Sequence, residues 1–226
     1  VTVWDVTDRH RHQAHLDQLA TFDQLTGALR RQPFIDAIDK CISHGEEPTI
    51  MAMNFHRFKT VNLTLGRDVG DEMLREAHQR LELFANDNVR IGRLGGDGFA
   101  VLLPQRMDHK STKVFCEKVI ESLTTPYSIG PATIHVGLRV GAVSGVKQTS
   151  GLNALSCAEL ALDEARKIQG NTCMVYEDFF AERQEFLRQV EADLWGAVDR
   201  GEIWLAYQPQ VDLKNDSLQG AEALVR

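Results

Sequence analysis

The sequence predicts an α+β domain, one sheet with helices packed on it in two layers, carried between two smaller pieces of chain. Three observations predict it. Helical and strand periodicities alternate from residue 22 to 178. A glycine-rich hairpin, "RLGGDGFAVLLP" at 93–104, sits in the middle of that stretch. The 226 residues are 43% hydrophobic and 25% charged, the balance of an ordinary globular protein.

The elements follow in order. Residues 1–7, "VTVWDVT", alternate as a lone strand. A helix follows with Thr7 as its N-cap, and Leu16, Leu19, Phe22 and Leu25 form a stripe suited to a partner helix. His10, His12 and His15 lie on it and read as a solvated face. "PFIDAIDKCI" is an amphipathic helix, and 49–55, "TIMAMNF", a buried strand. Residues 68–84 place Val69, Met73, Leu74, Ala77, Leu81 and Phe84 on one helical face. The glycine hairpin covers 88–103, a helix 109–124, a strand 132–143, a helix 152–168 and a short strand 172–177. From Phe179 a charged helix runs to Arg200. "EIWLAYQPQVDL" and "LQGAEALVR" then read as two strands joined by the turn "KNDS". The resulting boundaries are 1–21, 22–178 and 179–226.

Bulk properties exclude several functions. The formal net charge is −7 and the isoelectric point near 5.6, with no basic stripe, which argues against a DNA or RNA polymer as partner. An acidic protein can still bind one nucleotide, because backbone N–H groups and metal ions supply local positive charge. The four cysteines, Cys41, Cys116, Cys157 and Cys173, show no zinc spacing and read as reduced, mostly buried thiols of a cytoplasmic protein. No apolar run approaches the ~20 residues of a membrane helix, and no signal-peptide pattern opens the chain.

The hairpin turn carries the chemistry. Gly95 and Gly96 permit close backbone approach to an anion, and Asp97 offers a carboxylate for a divalent cation beside it. A turn of this composition is more often only a turn.

Its neighbours point further. "FDQLTGALRR" (22–31), "NFHRFKTVNLTLGRDVGDEML" (54–74), "RLGGDGF" (93–99) and "AELALDEARKIQGN" (158–171) occur in that order. Together they resemble the GGDEF family, the diguanylate cyclases that condense two GTP into cyclic di-GMP. The resemblance implies a palm-like, mainly antiparallel central sheet with flanking helices. The tail "YQPQVDL…GAEALVR" resembles the opening of the EAL family of cyclic di-GMP phosphodiesterases, and the first strand and helix resemble the end of a PAS sensor and its connector. A (β/α)₈ barrel needs roughly 200 residues or more, so the tail would be only its beginning.

What the resemblance implies for each position can be weighed against the chemistry. The family reaction uses two divalent ions, Mg²⁺ or Mn²⁺, on a triphosphate. Carboxylates are implied at Asn54, His56 and Gly98, and none is present. The implied metal ligands that remain are Asp97 and the backbone carbonyl of Phe55. Opposite charges about 4 Å apart attract by roughly 4 kcal/mol at an effective dielectric of 20, and loss of a general base alone costs about 10²–10⁴ in rate. A catalytically impaired module is the expectation, with the cation weakly held. Guanine contacts are implied at Asn62 and Asp71, nine residues apart, and nucleotide contacts at Lys59, Gly95, Gly96 and Arg166. Arg166 reads equally as a surface ion-pair partner of Asp163 or Glu164. A second basic phosphate contact is replaced by Gly170, and the R-x-x-D of a product-inhibition site is replaced by "NDNV" at 86–89.

In a complete EAL domain, Glu222 would hold metal, and Gln208 and Arg226 would contact cyclic di-GMP. The expected module binds GTP, regulates a downstream phosphodiesterase, and pairs with a second copy through its N-terminal helix. An active cyclase with an unusual metal shell and a spacer that binds no nucleotide stay open as alternatives.

Overall fold

A computed structural model describes residues 18–85, 88–145 and 150–226. The first strand, the three histidines, Leu16, and Asn86 and Asp87 of the "NDNV" window lie outside them. The chain divides into two compact units, at Phe180/Ala181.

In the first unit, β1 (Leu29–Arg30), β2 (Thr49–His56), β3 (Arg90–Gly95), β4 (Gly98–Leu103), β7 (Gly137–Ser144) and β8 (Thr172–Val175) form one six-stranded sheet, in the order β1-β3-β4-β2-β7-β8. The three inner pairings are antiparallel, and the two edge strands, β1 and β8, pair in parallel. A separate hairpin joins β5 (Tyr127–Ile129) to β6 (Ala132–Ile134). The helices are α1 (Arg31–Ser43), α2 (Phe58–Leu65), α3 (Arg67–Glu82), α4 (His109–Thr124) and α5 (Gly151–Arg166).

Helices cover both faces of the sheet, so the architecture has three layers, not two. Successive residues of β2 point to opposite sides. Met51, Met53 and Phe55 pack with α2, α3 and α4 through Phe58, Met73, Leu74 and Cys116. Ile50 and Ala52 pack with α1 and α5 through Phe34, Ile38, Leu155 and Leu162. A strand buried on both faces reads as an unbroken apolar run, and "TIMAM" is one. α5 lies very close to β7. Ala154, Ala158, Ala161 and Ala165 are all fully buried, and at Gly141 an added Cβ would come within 2.0 Å of the Leu162 backbone nitrogen.

Several local expectations are corrected. The stretch 132–143 is two strands broken at His135 and Val136, because β6 turns back onto β5 before β7 enters the main sheet. The N-terminal helix ends by Thr21; Phe22 bridges to Leu29, and Leu25 lies in a turn fixed by Asp23, whose Oδ1 accepts from the N–H and hydroxyl of Thr26 at 3.0 and 2.9 Å. Of the four free cysteines only Cys116 is buried.

The second unit is described by itself. Helix α6 begins at Phe179 and ends at Leu194, short of Arg200, and leads to an antiparallel hairpin of β9 (Leu205–Asp212) and β10 (Ser217–Val225). The turn between them contains Asp216 at φ 52. No helix among the described residues is long and apolar enough to cross a membrane.

Candidate functional site

The end of the sheet where β2 finishes and the glycine turn folds over collects most of the predicted residues. Gly95 and Gly96 have φ of 122 and 54, conformations that L side chains rarely adopt, and both are exposed. Gly96 and Asp97 form a two-residue connection from β3 to β4. Arg93 braces the turn from below: it donates to the Gly96 carbonyl, and to Asp23 Oδ1 at 3.3 Å. The "FDQLTG" segment thus holds the turn in place, a structural role for Asp23 and Arg93 that their side-chain types alone do not reveal.

Asn54 Nδ2 donates to Asp97 Oδ2 at 2.6 Å. Burial pushes the Asp97 carboxyl above its ordinary range, against the pull of its own and the Phe55 N–H groups and of the Arg166 and Arg93 charges. Gly98, paired with Asn54 across the ladder, brings no side chain. A cleft of about 390 Å³ opens here, lined by Arg31, Asn54, Gly95, Asp97, Glu159, Asp163 and Arg166 among others. Arg31 is committed to Glu159 by two bonds of 2.6 and 2.8 Å. Arg166, the last residue of α5, pairs with Asp163 at 2.7 Å, both side chains being nearly half exposed.

His56, the last residue of β2, faces Arg139 of β7. Arg139 Nη1 donates to His56 Nδ1 at 3.2 Å. Burial, then the charges of Arg139 and Arg57, hold the imidazole below its ordinary pKa.

The donor set does not fit a two-metal centre. The one carboxylate expected to bind metal, Asp97, already accepts an amide hydrogen from Asn54, and that amide presents a donor where a cation needs an acceptor. Among the described residues no group of three or more His, Cys, Asp or Glu side chains could hold a metal ion.

The expected guanine contacts lie on the opposite face of the sheet from α5, on the α2–α3 pair. Asn62 is on α2 and Asp71 on α3, with Gly66 (φ 92) between the helices. Asn62 Oδ1 is buried without a hydrogen-bond partner and lies against Gly70, where an added Cβ would come within 1.9 Å of it. Lys59 is exposed in the first turn of α2. Gln208 and Glu222 are register partners on β9 and β10, both exposed, and Arg226 closes the hairpin through backbone bonds with Trp204 of 2.9 and 3.0 Å. A larger cavity, about 660 Å³ between Phe22, α1 and α3, contains none of the predicted site residues.

A mainly antiparallel sheet sandwiched by helices, with a glycine turn and a half-buried carboxylate at its end, defines a palm-like α+β domain of the nucleotidyl-cyclase class. The chain matches the family model "Diguanylate cyclase, GGDEF domain" over residues 20–172 and belongs to that family. It is 28% identical over 98% of its length to the signaling protein YkoW of Bacillus subtilis, and 30% identical over 97% to the bifunctional diguanylate cyclase/cyclic di-GMP phosphodiesterase MucR of Pseudomonas aeruginosa. It spans 28% and 33% of those relatives' lengths. The fold is that of the GGDEF domain of YfiN (TpbB) from P. aeruginosa, with a TM-score of 0.67 at 22% identity over 73% of this chain and 99% of that one.

Proposed function

We propose that this chain is a catalytically impaired GGDEF module of cyclic di-GMP signalling, which binds GTP without condensing it and regulates an EAL phosphodiesterase begun by residues 179–226. Residues 1–21 are then the end of a PAS-type sensor and its connector, and the N-terminal helix pairs two copies. The observation that carries this reading is the Asn54–Asp97 hydrogen bond beside a side-chain-free Gly98. Where the reaction needs converging carboxylates to hold two cations, the turn offers Asp97, already engaged, and the other two carboxylates of the cleft, Glu159 and Asp163, are paired with Arg31 and Arg166.

Guanine recognition rests on Asn62 and Asp71, an amide and a carboxylate able to meet the donor and acceptor edge of the base. The unsatisfied Asn62 Oδ1 supports it, because a buried acceptor without a partner costs stability unless a ligand supplies one. Regulation requires that GTP bind two states of the longer protein with different affinity. The relative MucR, named for both cyclase and phosphodiesterase activity, supports the EAL assignment.

The test is two measurements on purified protein. Incubation with GTP and Mg²⁺ or Mn²⁺ is expected to give no cyclic di-GMP by chromatography; a clear rate of formation overturns the impairment. Calorimetry with GTP is expected to show binding that Asp71→Ala abolishes. Absence of heat for the unsubstituted protein at millimolar GTP favours a spacer.

A further inference from the structure

The residues at Asn54, His56 and Gly98, where the resemblance implies carboxylates, also change the charge at this end of the sheet. Asn54 has Gly98 as its neighbour on β4 and Arg139 as its neighbour on β7. Cross-strand partners share a face of the sheet. The row Gly98–Asn54–Arg139 therefore carries no carboxylate and one guanidinium.

Arg139 is not among the residues lining the cleft but stands beside it, as the strand partner of Asn54, which lines it. Its Nη2 donates to the Ile168 carbonyl at 3.4 Å, in the loop that follows Arg166 and precedes Gly170. Gly170 is the position at which the resemblance implies a basic phosphate contact and this chain has none. Arg139 brings a cation to the same loop from β7. Its partners are a carbonyl and His56, whose Nδ1 must be unprotonated to accept from it, so neither neutralises it. Its Nε is buried with no partner. Among the described residues no carboxylate lies within ion-pair distance of Arg139. Arg31, by contrast, is engaged at both ends of its fork by Glu159. Arg166 is held by a half-exposed pair that a polyphosphate would displace readily.

We propose that Arg139 is a phosphate-binding residue and that, with Arg166, it takes the place of divalent cations, so that this cleft binds the metal-free nucleotide. The inference rests on the GTP-binding reading and says how the phosphates are held. Guanidinium forks suit the task because they meet phosphate oxygens in pairs and cannot lose their charge. Loss of the carboxylates at Asn54 and Gly98 favours the same outcome: Asp97, Glu159 and Asp163 remain in the lining, but the last two are paired with Arg31 and Arg166, so a polyanion has less need of a metal ion to screen it from the site.

The experiment is calorimetry with GTP in excess Mg²⁺ and again in EDTA, on the unsubstituted protein, Arg139→Gln and Arg139→Lys. The expected result is a Kd that agrees within about three-fold between the two buffers, weakened about ten-fold or more by Arg139→Gln in both, and weakened less by Arg139→Lys. Ten-fold weakening of the unsubstituted protein by EDTA overturns metal-free binding while leaving GTP binding intact. Unchanged affinity in a folded Arg139→Gln overturns the role of Arg139. No binding in either buffer overturns the GTP reading, and this inference with it. If Arg139→Gln melts at the assay temperature, the EDTA comparison and the lysine variant decide.

Discussion

Asn54 and Asp97 are joined across the glycine turn by a 2.6 Å hydrogen bond from amide to carboxylate. The pair is self-sufficient as it stands. Replacing the amide with a second carboxylate at this distance would leave two like charges that cannot both ionise unless a proton or a cation lies between them.

Asn54→Asp is therefore expected to melt a few degrees lower than the unsubstituted protein in metal-free buffer. It should regain that loss on adding millimolar Mn²⁺. The unsubstituted protein should show little Mn²⁺ response. For a domain of this size a shift of about 2–4 °C corresponds to roughly 1 kcal/mol. Thermal denaturation with and without Mn²⁺ measures it. Equal metal responses in the two proteins would show that the amide is no obstacle to a cation.

Asp97 makes stability depend on pH with an unusual sign. Burial raises its folded-state pKa above the ordinary value of 3.8, so the native protein binds the proton more tightly than the unfolded chain does. Stability from this group is then greatest below the ordinary carboxylate pKa and falls as pH rises through the folded one. Asp97→Asn keeps the shape, and its amide oxygen can accept from Asn54. The variant should melt at or above the unsubstituted protein at pH 7, with the gap closing as pH falls toward 4. A variant that melts lower at neutral pH and catches up with the unsubstituted protein on acidification would contradict the burial argument.

The fold was legible where one segment carries its own pattern. Helix α4 runs over the 109–124 that its periodicity marks, and the hairpin over 90–103 is set by Gly95 and Gly96. The layer count was not legible from pattern alone, because the unbroken run of β2 says both faces are covered without naming the partners. Helix α2 went unread because "FKTVNLTL" is short and rich in β-branched residues, whose helix propensity is low. At the site, Asn54 stands in one motif and Asp97 and Gly98 in another 43 residues on, each legible by its place in its motif. Arg139 and Arg93 enter through strand pairing and long-range hydrogen bonds, relationships that no spacing along the chain encodes.

Gly141 shows how tightly the sheet supports the cleft. A Cβ there would approach the Leu162 nitrogen to 2.0 Å and the Ala158 carbonyl to 2.2 Å, both backbone atoms of α5. Backbone cannot move aside as a side-chain tip can, so Gly141→Ala must push α5 off β7. The expected cost is about 1–3 kcal/mol, in the range for overpacked cores, read from the midpoint of urea denaturation. Because Arg166 ends α5, GTP affinity should fall as well.

Gly70 offers the complementary case, in which binding is lost and the fold kept. Its added Cβ would meet Asn62 Oδ1 at 1.9 Å, with Phe58 no nearer than 3.3 Å. The obstruction is chiefly the tip of a side chain, which can rotate away, and alanine favours a helix over glycine by roughly 1 kcal/mol. Gly70→Ala should therefore melt within about 2–4 °C of the unsubstituted protein, the span of 1 kcal/mol. GTP binding should weaken about ten-fold, because an Asn62 carboxamide turned out of place can no longer pair with the base. Calorimetry beside thermal denaturation separates the two effects. Full affinity in Gly70→Ala would mean that the Asn62 side chain contributes nothing to nucleotide recognition.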